Sequence, residues 1–98
     1  MEKRSPHYPL ANIKVLADAG EVSATFSALA GAAELGFDFD GIIEVVAALT
    51  PADFYKSMTT YADHTIWQDV YRPMTEAGAV YLKITVVDGV LVVSFKEL

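Results

Sequence analysis

The tightest constraint on this chain is the dipeptide Asp88-Gly89, set between two runs rich in β-branched and apolar residues, 80–87 and 90–97. Asp-Gly between such runs is the strongest short-range hairpin signal, because the favoured two-residue turn needs residues that accept φ > 0. A two-residue turn pairs Val87 with Val90. Counting back pairs Thr85 with Val92, Lys83 with Ser94 and Tyr81 with Lys96. The other face pairs Val86 with Leu91, Ile84 with Val93 and Leu82 with Phe95. That face is wholly apolar and is expected to bury against the rest of the chain. The opposite face presents Tyr81, Lys83, Ser94 and Lys96 as a group, with opposed Cβ atoms about 4.5–5.5 Å apart. A one-residue slip would bury the lysines, so the register is strongly specified.

Upstream, the first half reads as helices. Pro9 suits a first helical position, Leu10, Ile13, Leu16 and Ala17 follow at 3–4 spacing, and Gly20 can close the helix with φ > 0. A second helix starts near Thr25, carries Phe26, Leu29, Ala30 and Ala33 on one face, and stops at Gly36. Asp40 is the expected cap of a third, with Ile42, Ile43, Val45, Val46 and Leu49; its β-branched content leaves a buried strand as the alternative. Thr50-Pro51-Ala52-Asp53 has the form of a capped single turn. Segments 54–60 and 65–72 read as strands around a turn at Ala62-Asp63-His64, and Arg72–Gly78 as a loop. If that turn holds an odd number of residues, Lys56 stands opposite Gln68; if even, opposite Asp69. Helices followed by an antiparallel meander make an α+β domain, expected to span 1–98 as one unit.

Composition narrows the function classes. The chain has no cysteine, so disulfide frameworks and thiolate metal sites are excluded. Two histidines, His7 and His64, are too few for a histidine-rich metal site, and Asp63 with Asp69 makes no convincing acidic one. No metal and no cofactor are expected. The N-terminus shows no signal-peptide pattern and no apolar run spans a membrane, which fits a cytoplasmic protein. A net charge of −6 argues against a nucleic-acid partner. Its distribution softens that argument: residues 1–53 hold three basic and eight acidic side chains, residues 54–98 four and five.

The richest chemistry lies in Phe54–Pro73, where cations, hydroxyls, an amide and aromatics alternate. With Lys56, Gln68, Tyr81 and Lys96 in view, the chain resembles the MqsR family, the motility quorum-sensing regulator toxins of bacterial type II toxin–antitoxin systems. The resemblance runs from Met1-Glu2-Lys3-Arg4 and Pro6-His7 through Glu34-Leu35-Gly36 and Asp38-Phe39-Asp40-Gly41. It is strongest over Asp53–Pro73, Val80–Val86 and Val93–Glu97. It implies a RelE-like α+β fold and a metal-free mRNA interferase cleaving single-stranded RNA at short GC-containing sites. It further implies an MqsA-type antitoxin as partner, with operator DNA reached through the antitoxin complex. The family's activity residues match here as Lys56, Gln68, Tyr81 and Lys96. The chain departs from the family's basic surface near Val15, Ser23 and Phe26, and at Met74.

Those residue types suit metal-free RNA cleavage. A base takes the 2′-hydroxyl proton, a cation or donor stabilises the phosphorane, and an acid protonates the leaving 5′-oxygen. Clustered lysines lower one another's pKa and so make one a proton carrier. Gln68 can donate to a phosphate oxygen but cannot act as acid or base. Tyr81, across from Lys96, could donate or accept a proton. Tyr55 could stack on a base, and Arg72 and Lys83 are expected phosphate contacts. The plainer reading is a solvated sheet face, since lysines on strands often only blunt an edge. On that side also fall Trp67 and Met58 as packing residues and His64 as a turn residue, while His7 receives no role. A second functional reading keeps the toxin fold as an antitoxin-binding module with weak RNase activity, because an acidic surface loses phosphate contacts.

Overall fold

A computed structural model describes residues 1–98, with elements in the order β1 (Glu2–Lys3), α1 (Leu10–Asp18), β2 (Val22–Ala24), α2 (Phe26–Glu34) and α3 (Phe39–Ala47). A 3-10 turn at Pro51–Asp53 follows, then β3 (Phe54–Thr59), β4 (Trp67–Tyr71), β5 (Met74–Thr75), β6 (Gly78–Val86) and β7 (Val90–Glu97). The strands form one sheet in the order β1-β3-β4-β6-β7-β2, and the short β5 pairs with β6. The α+β class holds, but the sheet is mixed, because β2 runs parallel to β7. Neither β1 nor β2 was expected. Strands of two or three residues show no readable alternation, and both are recruited by an existing sheet edge.

Helix ends follow local chemistry. Gly20 and Gly36 take φ of 75° and 86° just beyond α1 and α2, as their position predicts. Pro9 is the N-cap of α1 rather than its first helical residue. Asp38, not Asp40, caps α3: its carboxylate accepts the Gly41 N–H at 2.8 Å. Asp40 instead lies in the first turn, where a carboxylate faces the positive end of the helix dipole. The segment expected at 42–49 is helical as far as Ala47, not a strand, and Leu49 lies beyond the helix end. At Thr50–Asp53 the Asp53 carboxylate accepts from both the Thr50 N–H and hydroxyl, which closes the single turn.

The β6–β7 hairpin keeps the expected register only where the lysines stand. Tyr81 pairs with Lys96, Leu82 with Phe95 and Lys83 with Ser94. Nearer the turn, Ile84 pairs with Val92, Thr85 with Leu91 and Val86 with Val90. The loop is thus three residues, Val87-Asp88-Gly89, with Asp88 at φ 53° and Gly89 at φ 114°. The register shift beyond Lys83 leaves Val93 as the extra residue of a bulge. Val90 and Val92 therefore join Phe95 in the core, while Leu91 and Val93, expected there, are only half-buried. Thr25 binds the bulge from the side. Its N–H donates to the Val92 carbonyl and its hydroxyl to the Val93 carbonyl at 2.8 Å, while the same hydroxyl accepts the Ala28 N–H at the start of α2.

The helices cover one sheet face. Ile13, Ala17, Ala28, Ala32, Ile42, Val46 and Leu49 meet Tyr71, Val80, Leu82, Ile84, Val90, Val92 and Phe95 in one core. Each larger side chain contributes about 1.5–3 kcal/mol on burial, so slipping this register would cost several such terms and bury a lysine. The Tyr71 hydroxyl is buried there without a hydrogen-bond partner, and burial pushes its pKa up to about 12.

Helix α2 lies directly on β7. A Cβ added at Gly31 would stand 2.0 Å from the Phe95 carbonyl oxygen, a rigid backbone atom. Gly→Ala inside a helix normally stabilises by about 1 kcal/mol. Here overpacking, typically about 1–3 kcal/mol or more, wins. Gly31→Ala is expected to lower the melting temperature by roughly 5–15 °C in thermal unfolding. A melting temperature at or above that of the parent chain would show that α2 does not sit this close.

Candidate active site

The face turned away from the helices is assembled from four strands. Lys56 of β3 pairs with Val70 of β4, Val70 with Lys83 of β6, and Lys83 with Ser94 of β7. These four residues form one row across the sheet. Lys56 faces neither Gln68 nor Asp69, which corrects both expected alternatives: Gln68 pairs with Met58 and Asp69 with Ser57. The cause is the turn: Thr59 pairs with Trp67, so residues 60–66 form the loop, and the unbroken ladder from there puts Lys56 opposite Val70. Beyond Lys56 the register slips at a bulge. Phe54 pairs with Tyr71 but Lys56 with Val70, so Tyr55 is an extra residue in β3. It shifts the strand by one position, and Tyr55 and Lys56 reach the same neighbourhood, the ammonium 5.4 Å from the Tyr55 ring centre.

Around this row the side chains gather. Lys96 and Lys83 stand 5.1 and 5.8 Å from the Tyr81 ring centre. The Arg72 guanidinium sits 3.7 Å from the Tyr55 ring centre. Val70 is fully buried yet lies outside the helix-side core, so the lysine row itself covers it. Of the residues expected at the site, Lys56, Tyr81, Lys96, Tyr55, Arg72 and Lys83 are thus brought together. Gln68 shares their face by register, one pair further along β4, and its amide makes no hydrogen bond to them.

Two participants come from the N-terminus and were missed. The Glu2 carboxylate forms the structure's one ion pair, 2.6 Å from the Lys56 ammonium, and Arg4 approaches the Tyr55 ring at 5.7 Å. The one available signal was Lys3-Arg4, the only adjacent basic pair in the chain. Its placement depends on a long-range anchor. The buried Asp69 carboxylate accepts the His7 and Tyr8 N–H groups at 3.0 and 2.9 Å and the Ser57 hydroxyl at 2.6 Å. The His7 ring stacks on Trp67, and Lys3 lies 4.3 Å over the same indole. His7 therefore has a structural role, and Trp67 packs as expected. His64 is exposed in the turn, where the Asp63 carboxylate accepts from the Thr65 N–H and hydroxyl.

The electrostatics sort the site residues. The hydrogen bond to Glu2 raises the pKa of Lys56, and the same bond lowers that of Glu2. Lys83 moves the other way: burial first, then the charges of Lys96 and Lys56, lower its pKa. Burial raises the pKa of Tyr81, with Lys56 partly opposing, so its phenol remains a proton donor. Nowhere does a group of three or more His, Asp or Glu stand close enough to hold a metal ion. Two concavities lie elsewhere. One includes Phe37, Glu44, Asp53, Met74 and Glu76; the other includes Tyr8, Pro9, Val15, Leu16 and Val86. Neither contains a residue of the lysine row.

A sheet face with cations and two half-buried tyrosines has the chemistry to receive an anion and to donate protons to it. Comparison with known proteins gives this surface a family. A family model described as "Motility quorum-sensing regulator, toxin of MqsA" matches residues 5–97. The mRNA interferase toxin MqsR of Escherichia coli (strain K12) is 63% identical over 97 residues, covering 99% of both chains. The chain belongs to the MqsR toxin family.

With rising pH, Lys83 is expected to lose its proton before Lys56. Glu2→Gln removes the hydrogen-bonded anion and is expected to lower the Lys56 pKa. Side-chain NMR titration of selectively labelled lysine reads both. Lys56 titrating first, or unmoved by Glu2→Gln, would count against the arrangement.

Proposed function

We propose that this chain is an endoribonuclease toxin, an mRNA interferase that cleaves single-stranded mRNA at short GC-containing sites and is neutralised by an MqsA-type antitoxin. One observation carries the reading. In a chain of net charge −6, the face holding Arg4, Lys56, Arg72, Lys83 and Lys96 has only one of these cations paired with a carboxylate. Family membership and the name of the Escherichia coli relative support it.

The chemistry follows from the side chains. The 2′-oxygen attacks phosphorus, forming a P–O2′ bond and breaking P–O5′. The products carry a 2′,3′-cyclic phosphate and a 5′-hydroxyl. Lys56, held protonated by Glu2, is assigned charge stabilisation on the phosphorane. Tyr81 and Lys96, opposed on β6 and β7, are assigned the proton transfers. Gln68 donates to a phosphate oxygen. Lys83 and Arg72 contact flanking phosphate, and Tyr55 carries the Arg72 guanidinium on its ring. The activity belongs in the cytoplasm, where mRNA is translated, and operator DNA would be reached through the antitoxin complex.

The test uses purified protein, a GC-containing single-stranded RNA and excess EDTA. Cleavage should persist and leave cyclic-phosphate ends. Tyr81→Phe with Lys96→Ala is expected to lower kcat/KM by roughly 10²–10⁴-fold at unchanged melting temperature. Cleavage surviving the double variant would overturn the assigned site, and cleavage stopped by EDTA would overturn the metal-free mechanism.

A second reading is favoured by the acidic balance: an antitoxin-binding module with weak cleavage. Induced expression separates the two. Growth arrest relieved by a matching antitoxin supports the interferase, and no arrest from well-folded protein supports the module.

A further inference from the structure

We propose that Arg4 and Arg72, brought over the ring of Tyr55, form a subsite for a phosphate of the RNA backbone next to the cleaved bond. The subsite rests on the ribonuclease reading of this face and adds to it a residue from the opposite end of the chain. Three features build it. The β3 bulge places Tyr55 beside Lys56 on the open face. Arg72 follows directly on β4 and lays its guanidinium 3.7 Å from the Tyr55 ring centre. Arg4 arrives at 5.7 Å from the same ring, carried by β1, whose Glu2 and Lys3 pair with Met58 and Ser57 of β3. The segment just after Arg4 is held by the buried Asp69 carboxylate through the His7 and Tyr8 N–H groups. The position of Arg4 is therefore built into the fold.

What the two arginines lack identifies the ligand. Each guanidinium carries five N–H donors, and neither makes a side-chain hydrogen bond or an ion pair within the chain. A tyrosine ring attracts a guanidinium through its face but supplies no counter-charge. Two like charges over one ring make a local concentration of positive charge that an anion would neutralise. Guanidinium groups match phosphate oxygens with paired, geometrically fixed hydrogen bonds. Lys56 stands on the same ring, so the subsite adjoins the group assigned to the scissile phosphate. Arg72 also takes up ring surface that a stacked base would need, which makes Tyr55 a support for arginine rather than a base platform.

The test is binding of a short GC-containing single-stranded RNA, 2′-O-methylated throughout so that it cannot be cleaved, measured across a salt series. Arg4→Gln is expected to weaken binding roughly tenfold at low salt. It should also make the slope of log K against log[salt] shallower by about 0.7, the value for one phosphate contact on a single strand. Lys3→Gln removes the same charge one residue away, but its ammonium lies over Trp67. It is expected to stay within twofold of the parent chain. Arg4 is exposed and unbonded, so its variant should fold. RNA binding by the parent chain with an unaffected Arg4→Gln, or an equal loss in Lys3→Gln, overturns the subsite alone. Failure of the parent chain to bind RNA overturns the ribonuclease reading and the subsite with it.

Discussion

Everything this protein presents on its open face depends on the β6–β7 hairpin being pinned on its other face. Leu82, Ile84, Val90, Val92 and Phe95 are removed from water by the helices. That burial leaves Tyr81, Lys83, Ser94 and Lys96 no choice of side. The alternative register would place ammonium groups against Ala28, Ala32 and Ile42, and an unpaired buried charge costs several kcal/mol. The hydrophobic face thus does the positioning for the polar one. Gly31 and Thr25 complete the arrangement by letting α2 lie on the β7 backbone and by satisfying the bulged carbonyl of Val93.

How much of this was readable in the chain depends on the range of the interaction. The glycine stops, the Thr50–Asp53 turn and the Tyr81–Lys96 opposition are local or follow from one hairpin, and were legible, while the starts of α1 and α3 were misplaced by one and two residues. The two-residue turn was wrong by one position. The Val93 bulge cancels that error before the lysines are reached, so the expected pairs stand although the assumed turn does not. A bulge is nearly invisible in sequence, because an extra valine among valines breaks no pattern. The β3–β4 register failed for another reason: the loop spans 60–66, so Thr59 pairs with Trp67, and no turn dipeptide marks its centre. Glu2 and Arg4 were illegible on different grounds. Their position is fixed by Asp69, more than sixty residues away, and nothing in Met1–Arg4 announces a strand.

The acidic balance of the chain and its cationic face are compatible once distance is considered. At physiological ionic strength the Debye length is about 8 Å, so exposed carboxylates farther away than that are largely screened. A bound phosphate would respond mainly to the charges it touches. On this face those are one neutralised lysine and several free cations. Net charge should then weigh more on long-range steering, and so on association rate, than on the contact itself.

Glu2 gives the face an internal asymmetry. A carboxylate held on Lys56 keeps that ammonium charged, while Lys83, half-buried between Lys56 and Lys96 and without an anion of its own, is driven toward its neutral form. Two lysines in one row of the sheet are thereby pushed in opposite directions, Lys56 by its hydrogen bond to Glu2 and Lys83 first by burial and then by its cationic neighbours. Sites that separate fixed charge from mobile protons work through such divergence. The pairing of β1 with β3 supplies the Lys56 half of it, by bringing the Glu2 carboxylate to the row. The N-terminal strand is only two residues long. Its effect is nonetheless chemical as well as structural: one side chain tunes a lysine, and the residue just beyond the strand brings a second guanidinium to Tyr55.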